Sequence, residues 1–201
     1  MTTTRRRLSV DDRRNEFLHA ALELIGTQPW DEISMADVAR AAGASKPLLY
    51  HYFSTKSDLY LAAVTSAAAE LSAATRPDPD LPGPEQLVRS LTTHLDWIEA
   101  NDFAYRAILQ GGLSSDRYVQ AIVETARAEV VDRLADAFDL GTPDPAQRIA
   151  LRGWVGFLEG ACLDWLLHRD ISKDHLVRLL EASVGGALRA GRTSRKGPRG
   201  D

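Results

Sequence analysis

Lys46, Tyr50, His51 and Lys56 fall within eleven residues of one another. An ammonium, a phenol and an imidazole at helical spacing suit contacts to phosphate oxygens and to the hydrogen-bonding edges of bases. The same four on a merely solvated face of a generic three-helix module would have no such use, so their placement decides the reading.

The flanking residues supply that placement. Ser34 is a good helix N-cap, with Asp37 three residues on as its capping partner. Ile33, Val38 and Ala42 give this first short helix an apolar side, and Gly43 stops it because glycine tolerates a left-handed turn. Ser45 caps a second helix, and Pro47 falls in its first turn, where a missing N–H costs little. Leu49 and Phe53, four apart, face a small core. At 100° per residue Pro47, Tyr50 and His51 project away from them, with Lys46 at the flank. Thr55 and Asp58 repeat the capping pattern and put Lys56 in the first turn of a third helix, beside backbone N–H groups that favour phosphate. Two short helices joined by a glycine turn make a helix-turn-helix, which lays its second helix in the DNA major groove.

From about Arg13 to Val64 the chain resembles the N-terminal domain of the TetR/AcrR family of bacterial transcriptional repressors. The resemblance rests on F-L-H-A-A-L-E-L-I-G and on W-D-E-I-S-M-A-D-V-A-R-A-A-G-A-S-K-P-L-L-Y-H-Y-F-S-T-K-S-D-L. It covers about a quarter of the chain. It implies that Lys46, Pro47 and Leu48 open the recognition helix near base edges, that Tyr50, His51 and Tyr52 contact bases or phosphates, and that Lys56 meets backbone phosphate. Leu48 departs from the small or polar residue often found there, which favours methyl contact with thymine over hydrogen bonding. Ser34 and Ser45 complete the candidate DNA-contacting set.

Charge is divided along the chain. Net charge is −4 overall, but residues 1–56 carry +1, residues 57–188 carry −9 and residues 189–201 carry +4. Such a split fits a small DNA-reading head on an acidic body. Arg5, Arg6 and Arg7 precede the first helix in a Thr-rich stretch, either an arm that enters an adjacent minor groove or a solvated tail. Residues 191–201 read as a disordered basic tail. No apolar h-region follows the basic N-terminus, no stretch approaches a membrane span, and the single cysteine, Cys162, fits a reducing cytoplasm.

Downstream of residue 57 the patterning stays helical, and no strand-like alternation of useful length occurs. Helices are expected from Lys56 to about Thr75, through Leu87, Leu91, Leu95 and Ile98 to about Ala100, and from Phe103 to Gln110. Another starts at Ser114, and two more run from about Ala146 to His168 and from Lys173 to Arg189. The proline-rich run P-D-P-D-L-P-G-P-E, Gly111-Gly112 and G-T-P-D-P mark the loops. The expected architecture is all-α: a three-helix helix-turn-helix domain over residues 1–57, joined to a helical effector-binding and dimerisation domain over residues 58–190.

Two surfaces of the body stand out. Gly153, Gly156 and Gly160 lie inside one helix, each costing about 1 kcal/mol against alanine, which close approach by another helix would offset. Gly185 and Gly186 repeat the theme in the final helix. The family resemblance implies dimerisation through the last two helices as a four-helix bundle. Trp97, Phe103, Tyr105, Tyr118, Trp154, Phe157 and Trp165 are the candidate lining of an apolar ligand pocket, with Glu159, His94 and Arg106 as polar groups. For any one aromatic, core packing is the plainer reading, and Glu159 could equally pair with an arginine. The effector is expected to be largely apolar, with acidic or acyl-chain character.

Catalytic machinery is missing from the sequence. There is no nucleophile elbow, no phosphate-cradling glycine loop and no H-E-x-x-H spacing. His168 and His175 flank one loop near Asp170 and Asp174 without forming a recognisable metal pattern, and Cys162 reads as packed. No cofactor is called for. The sequence therefore reads as a homodimeric repressor of a pseudo-palindromic operator, released by a small-molecule effector. The alternatives are a helical small-molecule carrier with a non-functional DNA head and, less well supported, a small helical enzyme.

Overall fold

A computed structural model describes residues 9–111 and 117–191. Arg5, Arg6, Arg7, Ser114 and the 192–201 tail lie outside the described residues. All regular structure described is helical: α1 (Val10–Ile25), α2 (Met35–Ala41), α3 (Lys46–Tyr52), α4 (Lys56–Ala74), α5 (Gly83–Ala100), α6 (Asp102–Gly111), α7 (Arg117–Ala137), α8 (Pro145–His168) and α9 (Lys173–Gly191), with a 3₁₀ turn at Trp30–Glu32.

The chain forms two compact units, one from the residues up to Glu70 together with Asn101–Val123, the other from Leu71–Ala100 and Glu124 onwards. In the first unit α1 is the central post. Ser9 and Asp12 close a capping box at its start, and Phe17, Leu18, Ala21, Leu22 and Ile25 bury its inner side. α2 packs on α1, α3 packs on α2, and α6 packs on α1.

That last contact divides the chain differently from a head ending at residue 57. Gly26 lies so close to α6 that a Cβ there would come within 2.7 Å of the Phe103 Cα. With this approach, α6 and its aromatics Phe103 and Tyr105 belong to the same unit as the helix-turn-helix, and so does Tyr118 at the start of α7.

The second unit packs α8 against α9 and α9 against α5. Its core is Leu87, Leu91, Leu95 and Ile98 from α5, Leu151, Trp154, Val155, Leu158 and Cys162 from α8, and Leu176, Leu180 and Val184 from α9. Asp144 caps α8 with Gln147 completing the box, and Pro145 takes its first position. Arg169 ends α8 in the left-handed region at φ 52°, held there by its guanidinium over the Trp165 ring and a hydrogen bond to Glu99.

Glu159 takes the second of its two expected roles, pairing with an arginine. Both its carboxylate oxygens accept from Arg127 of α7, at 2.7 and 2.8 Å, so it ties α7 to α8. The same arginine reaches Glu124, which Arg152 also contacts. Paired carboxylates on both sides hold the Arg127 pKa above its ordinary value, the Glu159 hydrogen bond first among the causes.

Two outcomes follow from this packing. Replacing Gly26 by alanine forces its Cβ into backbone of α6, a position that cannot give as a flexible side chain would. We expect a loss of about 1–3 kcal/mol in urea unfolding, whereas alanine at Gly153, which meets open space, should not destabilise the protomer. His94, on α5, is the second test: burial, and then the nearby charge of Arg133, push its pKa down from 6.5 to about 4. The unfolded chain therefore takes up a proton below pH 6.5 that the folded chain refuses until near pH 4. Stability contributed by neutral His94 is lost as pH falls through that window, about 2 kcal/mol between pH 7 and pH 5. His94→Gln should remove this part of the pH dependence in urea titrations at the two pH values.

Candidate nucleic-acid interface and ligand cavity

The outward face of the helix-turn-helix is built by local rules. Ser34 Oγ accepts from the Asp37 N–H at 3.2 Å and donates to the Asp37 carboxylate at 2.6 Å, and that carboxylate also accepts from the Ser34 N–H. The Ser34 hydrogen bonds, and then Arg40, hold the Asp37 carboxyl below its usual range. α2 ends in a turn where the Ala44 N–H reaches Ala39 O at 2.8 Å and the Gly43 N–H reaches Arg40 O at 3.0 Å. Gly43 sits between them at φ +59°, the left-handed step such an ending needs. Ser45 then accepts from the Leu48 N–H and starts α3, with Pro47 in the first turn.

α3 has one buried residue, Leu49, and ends at the buried Phe53. Lys46, Pro47, Leu48, Tyr50 and His51 are exposed, as are Ser34 and Ser45. Tyr50 keeps 44% of its surface, a large exposure for an aromatic ring, with the Lys46 ammonium 5.8 Å from its ring centre. Tyr52 is different. It is half-buried, its ring 5.5 Å from that of Phe17 and edge-on to His51, so it supports the face as much as it forms it.

Lys56 is likewise engaged. Its ammonium donates to the Asp31 carbonyl at 3.1 Å and lies 4.9 Å from the Trp30 ring centre, and Trp30 in turn stacks on Tyr60. This brace fixes the 3₁₀ turn ahead of α2 against the first turns of α4, and it holds one cation at the start of a helix. Arg14 of α1, which the sequence pattern did not single out, lies over Phe53 at 5.2 Å.

A cavity with about 540 Å³ of empty space, part of it open to solvent, lies in the second unit. Leu87 and Leu91 of α5, Leu134 of α7, and Trp154 and Leu158 of α8 give it an apolar wall. Thr75, Gln86, Ser90, His94 and Arg133 are its polar groups. Of the residues proposed for a pocket from the sequence, Trp154 and His94 line this space. Trp154 is fixed by its indole N–H, which reaches Ser183 Oγ at 2.9 Å and Leu180 O at 3.2 Å. Trp97 is half-buried on α5 and Phe157 is exposed on α8. Trp165 donates to Ile171 O at 2.9 Å, and Arg106 pairs with Asp102 on its own helix. None of these four is among the lining residues. Sequence reasoning passed over Arg133, although Val130, Arg133, Leu134 and Ala137 share one helical face, which places an arginine on an apolar stripe.

Among the described residues no group of three or more His, Cys, Asp or Glu side chains converges to hold a metal. No described helix is long and apolar enough to cross a membrane.

The chain matches two family models: the bacterial regulatory proteins of the tetR family over residues 17–63, and a tetracycline repressor-like C-terminal domain over residues 84–185. It is 30% identical over 178 residues to the HTH-type transcriptional activator FasR of Mycolicibacterium smegmatis, covering 85% of this chain and 80% of that protein. It is 29% identical over 187 residues to the HTH-type transcriptional regulator BetI of Rhizobium meliloti, covering 89% and 90%. A crystal structure of a tetR-family transcriptional regulator from Streptomyces coelicolor superposes with a TM-score of 0.78 at 26% identity, over 92% of this chain and 83% of that one. A head of capped short helices with an open Lys-Tyr-His face, a helical second unit and these matches agree: the chain belongs to the TetR family of DNA-binding transcriptional regulators.

Proposed function

We propose that the chain acts as a homodimeric, one-component repressor, occupying a pseudo-palindromic operator and leaving it when a largely apolar small molecule binds the second unit. The observation that carries the DNA part is the division of α3, with Leu49 fully buried while Lys46, Pro47, Leu48, Tyr50 and His51 stand open. Residues that each read one base edge or phosphate are then presented together, backed by the Lys56 cation at the start of α4. A carrier with a non-functional head leaves that open face without a use.

One such head reads only a few base pairs, so useful specificity asks for two heads on a two-fold site. Support for a dimer comes from α8. Ile149, Gly153, Gly156, Phe157, Gly160 and Leu167 recur on one exposed side of it, and a Cβ at any of the three glycines would meet nothing within 4 Å. An uncovered apolar stripe with open glycines suits a second copy of the helix at close range. Gly185 does not serve the same purpose, because a Cβ there would meet the Arg189 guanidinium of its own helix at 3.3 Å.

Repression is the reading adopted because a dimer seated on a promoter blocks polymerase without any further contact. The similar FasR is described as an activator, so the sign of regulation is read directly by in vitro transcription from the chain's own promoter region. Added protein should lower transcript yield; a rise would make the chain an activator. The effector part rests on the cavity. α4, whose first residue is Lys56, ends next to the cavity-lining Thr75. An effector that binds the DNA-incompetent state better weakens operator binding by the factor by which operator weakens effector binding, about 5- to 150-fold for typical couplings.

Tyr50→Ala should weaken operator binding in a gel shift without changing the helical circular-dichroism signal. Lys56→Ala should weaken it about equally on all sequences and reduce the salt slope by about one phosphate contact. Its melting temperature should be compared as well, since Lys56 also braces Trp30. Unchanged affinity in both variants would remove the assignment of this face.

For assembly, Gly156→Leu together with Gly160→Leu should turn a sedimenting dimer into a folded monomer, because the protomer has room for both side chains. A wild-type protein that sediments as a monomer at micromolar concentration would overturn the dimer.

A further inference from the structure

The walls of the cavity in the second unit carry one permanent charge. Among its thirteen lining residues there is no aspartate, glutamate or lysine, and the single arginine is Arg133 of α7. His94 is held neutral at physiological pH, its pKa pushed down to about 4.

Arg133 is half-buried, and burial lowers its pKa, with Arg76 acting in the same direction and Glu129 against it. Its only hydrogen bond among the described residues goes to a neutral acceptor, the Ser72 carbonyl near the end of α4, at 3.3 Å. Glu129, the acid nearest in effect, gives its carboxylate to the Ser72 hydroxyl at 2.8 Å. Among the described residues the remaining N–H donors of Arg133 have no carboxylate within hydrogen-bond reach, in contrast to Arg127 on the same helix, which is clamped between Glu124 and Glu159.

A partly desolvated guanidinium without an ion-pair partner is costly, and an anion delivered by a ligand removes that cost. Leu87, Leu91, Leu134, Leu158 and Trp154 form an apolar wall that suits a hydrocarbon body, and the other polar groups, Thr75, Gln86, Ser90 and His94, are neutral.

We propose that the ligand of this cavity is an amphipathic acid, its carboxylate forked onto Arg133 and its hydrocarbon body lying along Leu87, Leu91, Leu134 and Leu158. The proposal rests on the reading of this cavity as the effector site and specifies the chemistry it selects. A planar carboxylate matches the planar guanidinium fork, and no acid stands on the wall itself, Glu129 acting on Arg133 from outside it.

The test compares three ligands of equal chain length, decanoate, decan-1-ol and decylamine, by the quenching or shift of tryptophan fluorescence, to which Trp154 contributes. Wild-type protein should bind decanoate at least tenfold more tightly than decanol, and decylamine most weakly. Arg133→Gln should bring decanoate down to the level of decanol while leaving decanol itself within about twofold. Arg133→Lys should keep a preference for the acid, though a smaller one. The comparison of ligands on wild-type protein stands even if a variant fails to fold, as judged by circular dichroism.

Equal affinity for acid and alcohol in the wild type, or a preference for the amine, would overturn the proposal and leave a cavity selecting on apolarity alone. Binding of none of the three would overturn it as well. An operator gel shift run in parallel separates these failures from a failure of the regulator reading. Retained operator binding with no acid preference removes only the ligand chemistry. Decanoate binding that leaves operator affinity unchanged keeps the anionic site and removes its role as the effector site.

Discussion

A helix of seven residues has no stability of its own in water, because nucleation fixes several residues for each hydrogen bond gained. α3 is such a helix, and the proposed DNA-reading face rests on it. It exists because Leu49 is fully buried and Phe53 closes its end, because Ser45 accepts from the Leu48 N–H and Pro47 brings no N–H to satisfy, and because Gly43 permits the turn that brings it off α2. Every exposed group on α3 is positioned by those few contacts. The face is therefore stiff where it must be and polar only where it meets solvent. The brace of Lys56 on Asp31 and Trp30, with Trp30 stacked on Tyr60, does for the segment before α2 what Leu49 does for α3.

This part of the molecule was legible in sequence because its signals are local. Caps act over three residues and glycine turns over one, so Ser34–Asp37, Gly43 and Ser45 appear in the structure as their types and spacing predict. Helix boundaries in the rest of the chain were equally readable, since apolar spacing and proline-rich loops mark them, and α5, α8 and α9 fall within a residue or two of expectation or share their core positions. What was not legible is which helix packs on which. The approach of Gly26 to Phe103 joins α6 to α1 across some seventy-seven positions of sequence, and nothing in the spacing of either segment announces it. For that reason the aromatic residues that the sequence groups together are divided between the units: Phe103, Tyr105 and Tyr118 go with the first and Trp154 with the second.

Glu159 and Arg133 show the same limit from the side of charge. Both are charged residues on helices with apolar neighbours, and sequence cannot say which has found a partner. Among the described residues Glu159 is met by both arms of Arg127, whereas the one hydrogen bond of Arg133 goes to a backbone carbonyl and Glu129 acts on it only at longer range. The first is structural and the second is chemically open. A charged residue on an apolar stripe is a useful signal, but its meaning depends on the opposite helix.

The acidity of the second unit makes this distinction sharper. Several acids of the second unit are committed to ion pairs away from the cavity: Asp96 and Glu99 to Lys173, Glu99 also to Arg169, Glu124 to Arg127 and Arg152, and Asp78 to Arg89. The Asp96 hydrogen bond, and then that of Glu99, hold the Lys173 pKa above its ordinary value, and the Lys173 hydrogen bond lowers that of Glu99. A body with a net charge of −9 over residues 57–188 would repel an anion at long range, but salt at physiological strength screens that field beyond about 8 Å. Inside the cavity the local charge decides, and there it is a guanidinium with no acid on the wall. The overall acidity and the cationic group in the cavity are therefore compatible, because the one acts at long range where salt screens it and the other at contact.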